Sequence, residues 1–239
     1  MSVSNATMRS TSSLWTGLAV LLLAVGAIAG ATVASAGEID GWRWLHWVCK
    51  PLATLLILAT AWRAKPAVST RYRRWIVAGM ACSLVGDVFL MLPQDEFVAG
   101  LVSFLLAHAC FIVALLGDSR FAERPWGMLA CVAYGVFNLW ALWPSLPVPL
   151  HLPVVVYVLV LACMGGQAVV RERRHATDEL ATSAHWSMMG ALIFMLSDTL
   201  LAWDRFRFVI PLSTLWVLVT YYTAMWCLAR SVRGGVERR

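Results

Sequence analysis

Apolar runs of about twenty residues, separated by short charged or proline-rich breaks, recur from Leu14 to Ala229. A helical run of that length matches the roughly 30 Å hydrocarbon core of a bilayer. Lipid admits only structures that satisfy their own backbone hydrogen bonds, which are helices or closed barrels. The alternating segments of about ten residues that mark barrel strands are missing. The expected fold class is therefore all-α, a polytopic integral membrane helical bundle. Composition agrees: 60% of the residues are hydrophobic and 13% charged, against about 25% charged in soluble domains. No stretch is left over for a soluble domain. The 239 residues read as one transmembrane domain, with a short polar N-terminal segment (1–13) and a basic tail (230–239).

Eight spans are predicted, with boundaries near Leu14–Ala34, Trp42–Trp62, Trp75–Leu92, Phe97–Leu116, Trp126–Trp143, Leu150–Val170, Leu180–Trp203 and Phe208–Ala229. Ala34-Ser35-Ala36 after the first run outlines a signal-peptide cleavage site, but about 21 apolar residues suit a span, so the run is expected to be retained. The breaks include a basic segment from Arg63 to Arg74, a proline-rich turn from Pro144 to Pro149 and a charged segment from Arg171 to Glu179. With a cytoplasmic N-terminus, fifteen of the nineteen lysines and arginines fall on the cytoplasmic side. This bias predicts a multi-pass cell-membrane protein with both termini inside. Net charge +6 thus reflects topology and anionic headgroups, and no nucleic-acid partner is expected. The six cysteines lie in apolar runs without CxxC spacing and read as packing residues. No cofactor or metal is expected, and protein partners and oligomeric state are left open.

Two of the runs carry a carboxylate. WIVAGMACSLVGDVFLML (Trp75–Leu92) holds Asp87, and GALIFMLSDTLLAW (Gly190–Trp203) holds Asp198. Each aspartate follows a glycine by eight residues and precedes a leucine by three. An ionised carboxylate in hydrocarbon needs a partner, a proton or a wet cavity. Both lie about five residues before the outer end of their spans, roughly 7 to 8 Å deep at 1.5 Å per residue, and so can meet at one depth. Lys50 enters from the outer side of the second span, where it would either neutralise an aspartate or contact an anionic substrate group. His108, in the fourth span, is open to a packing or a catalytic role. Ser83, Ser197 and Thr199 are close enough in sequence to hold the acids.

A pair of carboxylates pushed into different protonation states acts as general acid and general base. GxSxG, HExxH, a Walker lysine motif and CxxC are all missing. Hydrolysis of an acid-labile lipid linkage and proton-coupled transport both suit such a pair, and the residues alone leave the two open.

CSLVGDVFLM, followed by Phe97, Gly100, Phe104 and His108, and then GALIFMLSDTLLAWDRF resemble the YhhN-like family of membrane lysoplasmalogenases. Lys50-Pro51 and the YYTA stretch from Tyr221 are similar to further family positions. The resemblance implies an eight-span enzyme that cleaves the vinyl ether of lysoplasmalogens, releasing a fatty aldehyde and glycerophosphoethanolamine or glycerophosphocholine. It implies catalytic roles for Asp87 and Asp198, with Lys50, His108, Ser83, Ser197 and Tyr221 as substrate-binding candidates, and partners limited to a lysophospholipid substrate and membrane lipids. Phe111 and Met225 depart from the family pattern, standing where a tyrosine and a glutamine are usual.

Overall fold

A computed structural model describes residues 2–34, 40–123 and 125–234, with side chains from Leu14 onward. The side chains of the polar 1–13 segment, Ser35 and Ala36 of the candidate cleavage site, Arg124 and the tail beyond Gly234 lie outside the described residues.

Among these residues the chain forms eight α-helices: α1 (Ser2–Val33), α2 (Gly41–Arg63), α3 (Thr70–Met91), α4 (Phe97–Leu115), α5 (Pro125–Leu142), α6 (His151–Arg174), α7 (Ala181–Phe206) and α8 (Ser213–Ser231). Seven of them, α1 to α7, are long and apolar enough to cross a membrane, one fewer than the eight predicted. The missing one is α8, whose 19 residues include three threonines, two adjacent tyrosines and Arg230. These dilute its hydropathy. The chain is a multi-pass, all-α membrane protein.

Sequential neighbours pair as hairpins, α1 with α2, α3 with α4, α5 with α6 and α7 with α8, and α4, α6, α2 and α8 join the pairs into one bundle. The loops mark its two ends. At one end the α2–α3 loop lies against the end of α8, with Val68 N–H donating to the Val232 carbonyl (3.0 Å) and Gly234 N–H to that of Pro66 (3.0 Å). At the other end Arg205, in the last turn of α7, pairs with Asp95 between α3 and α4 (2.8 Å), and Arg207 bonds Ser145 between α5 and α6 (3.1 Å). Helix α8 starts at this second end and finishes at the first, so it traverses the full height of the bundle despite its polarity.

Helix limits shift where local chemistry overrides hydropathy. Helix α3 starts at Thr70, inside the predicted basic loop, because the Ser69 hydroxyl accepts from Tyr72 N–H (3.0 Å) and caps it. Residues 208–212, predicted to begin the last span, form a loop instead. There Leu212 takes a left-handed conformation (φ 57°) and the Asp204 carboxylate accepts from Ile210 N–H (2.8 Å). Arg171, expected in a loop as a topology charge, is the last turn of α6 and fully buried. It makes a two-point contact with Asp118 (2.8 Å), bonds Ser187 (2.9 Å) and Ser183 (3.1 Å), and lies over the Tyr72 ring. One guanidinium thus ties α3, α6, α7 and the α4–α5 loop together at the basic end, as a planar fork is suited to do.

The outward faces carry Leu52, Leu55, Leu106, Trp126, Phe137 and Trp140, exposed as lipid-facing side chains are. The interior is close-packed at the two glycines that precede the aspartates. A Cβ at Gly79 would collide with the Phe111 ring of α4, and one at Gly190 would come within 2.9 Å of Leu228 and 3.0 Å of the Ala224 carbonyl on α8. Each glycine therefore lets the aspartate-bearing helix approach a neighbour.

Candidate functional site

Asp87 is buried near the end of α3, and its partners come from two other helices. Its Oδ2 accepts from the hydroxyls of Thr54 on α2 (2.8 Å) and Tyr221 on α8 (2.7 Å). The Lys50 ammonium, one turn before Thr54 on α2, lies 3.4 Å from Oδ1. A buried carboxylate with a cation and two hydroxyl donors is satisfied as an anion. Lys50 lies within ion-pair distance of Asp87, the geometry of one of the two roles left open for it, and it also lines the cleft described below.

Asp198 on α7 has partners from α4 and α6. The Tyr157 hydroxyl donates to its Oδ2 (2.5 Å), and His108 Nε2 lies 3.3 Å from the same oxygen and 2.9 Å from the Tyr157 oxygen. The single hydroxyl hydrogen of Tyr157 is directed at the carboxylate, so Nε2 faces two acceptors and carries the hydrogen in this network. Nδ1 of His108 is buried without a partner among the described residues. Both contacts of the carboxylate fall on Oδ2. The Asp198 side chain keeps 14% of its surface accessible, which leaves Oδ1 facing open space.

The two clusters flank a wall of rings. Phe104 and Phe194 meet edge to face (centroids 6.2 Å), Phe194 packs on His108 (4.8 Å) on one side, and both phenylalanines pack on Tyr221 (6.1 and 5.6 Å) on the other. Above this wall lies a cleft of about 250 Å³ lined by both aspartates, Lys50, Tyr221 and Ser197, and by Asp204, Ser213 and Thr214 near the α7–α8 loop. Both acids thus line one cleft, as their common depth allows. A second, narrow pocket of about 80 Å³ runs between α4, α5, α6 and α7 among Leu101, Leu139, Val154 and Met195. It too reaches Asp198 and Tyr157. Asp198 thus borders both a polar cleft and an apolar pocket.

The remaining predicted residues divide. Ser197 lines the cleft, but its hydroxyl donates to the Val217 carbonyl (3.0 Å). Ser83 is fully buried, donates to the Gly79 carbonyl (3.1 Å) and touches neither acid. Thr199 bonds the Met195 carbonyl and accepts from Tyr134. Serine and threonine in apolar helices commonly turn back on the preceding turn in this way. Two partners escaped the sequence reading, Thr54 and Tyr157. Thr54 was marked by its i+4 spacing from Lys50, which puts both on one face. Among the described residues no group of three or more His, Cys, Asp or Glu is placed to hold a metal ion.

A model of the YhhN family matches residues 45–232. The chain belongs to the YhhN family. Among relatives, this YhhN protein is 37% identical over 159 residues to a lysoplasmalogenase of Mycobacterium bovis, a match covering 63% of the chain and 56% of the relative. It is 32% identical over 189 residues to lysoplasmalogenase TMEM86B of Rattus norvegicus, covering 77% and 70% respectively. With lysoplasmalogenase TMEM86A of Homo sapiens it shares 33% over 161 residues, covering 65% and 64%. The match thus spans little more than half the length of the mycobacterial relative. No solved structure matches the chain significantly. Of the YhhN departures, Phe111 packs on Gly79 and His108 in the core and Met225 is fully buried. The hydroxyl beside His108 belongs to Tyr157.

Proposed function

We propose that this protein is a lysoplasmalogenase, hydrolysing the vinyl ether of an alkenyl glycerophospholipid to a fatty aldehyde and the glycerophospho-alcohol. Family membership makes a lipid hydrolase the leading class. The observation that carries the finer reading is the meeting of two cavities of opposite polarity at Asp198. An alkenyl chain suits the apolar pocket, a charged headgroup suits the cleft with Asp204, Ser213 and Thr214, and the enol ether between them falls at the acid.

Cleavage of a vinyl ether starts with protonation of the β-carbon, which leaves an oxocarbenium ion at the carbon bonded to oxygen. Water adds there, and the hemiacetal collapses to aldehyde and alcohol. Asp198 is assigned the first proton transfer, because its Oδ1 faces the cavities while Tyr157 and His108 fix the other oxygen. Asp87 is assigned as the anion that stabilises the cation and takes a proton from the attacking water. Its pairing with Lys50 and two hydroxyls keeps it charged. In this scheme Lys50 serves Asp87, and headgroup contacts fall to the cleft mouth.

Further parts of this reading concern the membrane. Helix α8 is assigned as an eighth crossing, since it runs from one end of the bundle to the other. The basic end is assigned to the cytoplasm, so the cleft opens toward the extracytoplasmic leaflet.

Purified protein in detergent micelles tests the reaction. It should release aldehyde from a lysoplasmalogen and leave the saturated-ether counterpart intact, and in deuterium oxide the aldehyde should carry solvent deuterium at its α-carbon. Equal cleavage of both ethers, or no deuterium at that carbon after correction for exchange, would refute the scheme. Micelles have no compartments, so turnover there also separates hydrolysis from proton-coupled transport by the same carboxylates.

A further inference from the structure

A third cavity lies at the opposite, basic end, in a groove of about 440 Å³ between α1, α2 and α8. Four cations line it: Arg63 and Lys65 from the end of α2 and its loop, and Arg230 and Arg233 from the end of α8. They lie far apart in sequence. They converge because the α2–α3 loop is hydrogen-bonded to the end of α8 through Val68, Val232, Pro66 and Gly234. Below the cations the groove is walled by Leu56 of α2 and Trp226 of α8, and α1 borders it through Thr16.

Like charges gathered in this way repel unless something compensates them. Three other arginines of the chain are compensated by carboxylates: Arg171 has Asp118, Arg174 has Glu123 and Arg205 has Asp95. The four groove cations have no ion-pair partner among the described residues, and Arg230 only lies over the Trp186 ring (5.8 Å). No acidic residue lines the groove. The groove is amphipathic, with positive charge at the membrane edge and hydrocarbon below it, which complements one phospholipid in its bilayer orientation.

We infer that this groove is a binding site for one anionic glycerophospholipid, with its phosphate among Arg63, Lys65, Arg230 and Arg233 and an acyl chain along Leu56 and Trp226. A diffuse polybasic surface attracts anionic headgroups without a chain slot. Here charge and slot coincide, so affinity depends on both parts of the lipid. The site lies at the end away from the aspartates and does not depend on the reaction assigned to them.

The test is native mass spectrometry of the full chain in neutral detergent, titrated with phosphatidylglycerol, with phosphatidylcholine of the same chains, and with inorganic phosphate. One phosphatidylglycerol should bind at least roughly tenfold more tightly than phosphatidylcholine. Arg63→Gln with Arg230→Gln should weaken it by roughly twentyfold, taking about fivefold per cation. Arg71→Gln with Arg74→Gln, the same charge loss at exposed positions outside the groove, should change it by less than about threefold. The exposed single variant Lys65→Gln, which disturbs no helix, should cost about fivefold and carries the test if the double variant misfolds. Equal losses in the two double variants would reduce the site to diffuse attraction. Equal binding of phosphatidylcholine would overturn it, as would displacement of the lipid by inorganic phosphate alone.

Discussion

The two aspartates occupy matched sequence settings and unlike structural ones. Asp87 is enclosed by α2, α3 and α8, beside an ammonium and two hydroxyls. Asp198 is held on one oxygen by a tyrosine and a histidine, and its other oxygen borders two cavities. The shared glycine-aspartate-leucine spacing governs how each parent helix packs, with Gly79 of α3 against α4 and Gly190 of α7 against α8. It has no influence over which side chains the neighbouring helices present. Chemistry diverges there, because a carboxylate's state in a low-dielectric interior is set by its contacts.

The comparison is tested hardest at the acids themselves. Asp198→Asn and Asp87→Asn should each lower kcat for aldehyde release by at least roughly a hundredfold in folded protein. Full turnover by Asp87→Asn with loss in Asp198→Asn would show that one acid acts alone. The reverse result would leave Asp87 as the one acting acid and remove Asp198 from the chemistry.

A large effect of another kind is expected at Lys50. Removing one member of a buried ion pair strands the other, at a cost of about 3 to 5 kcal/mol. Thermal unfolding in detergent should show Lys50→Ala strongly destabilised, with much of the loss recovered in Lys50→Ala/Asp87→Asn, where the stranded charge is gone as well. If the double variant is as unstable as the single one, Asp87 is not charged in the resting protein. Asp198 has no lysine or arginine within ion-pair distance, so His108→Ala should show no comparable rescue by Asp198→Asn.

Smaller differences should separate the tyrosines. Tyr157→Phe leaves Asp198 with His108 alone and should lower kcat by roughly tenfold or more. Tyr221→Phe leaves Asp87 with Lys50 and Thr54 and should cost about threefold, in line with one hydrogen bond of about 1 kcal/mol or less. An inverted order would mean that Asp87 is the acid more dependent on its hydroxyl partner. Ser83→Ala should change kcat by less than about twofold, since its hydroxyl serves only the Gly79 carbonyl.

Much of this arrangement could be read from residues in order. Apolar run length located α1 to α7, because a bilayer imposes one thickness on every span. It also picked out the last run, Phe208–Ala229, but α8 begins five residues later, at Ser213, and falls short of a span's hydropathy because Tyr221 and Tyr222 count as polar although both are buried. Asp87, Asp198, Lys50, His108 and Tyr221 stood out because a polar group in hydrocarbon demands a reason. Tyr157 did not, since a lone tyrosine in a span reads equally well as an interfacial anchor. Arg171 was misread for a related reason. Its neighbours Arg173 and Arg174 make it look like one of a loop cluster, and only the placement of Asp118, Ser183 and Ser187 draws it inside.

The position of Tyr221 in the last helix has a bearing on how the protein is made. His108, Tyr157 and Asp198 are all present once α7 has been synthesised, so that cluster is complete in a chain of about 206 residues. Asp87 waits longer, because Tyr221 and the Ser213, Thr214 and Val217 side of the cleft arrive only with α8. On the proposed assignment, a nascent chain has its acid in place before it has the fully partnered anion that steadies the cation. Competence to cut lipid is then the last property acquired during biogenesis, and the surrounding membrane is not exposed to a half-finished hydrolase.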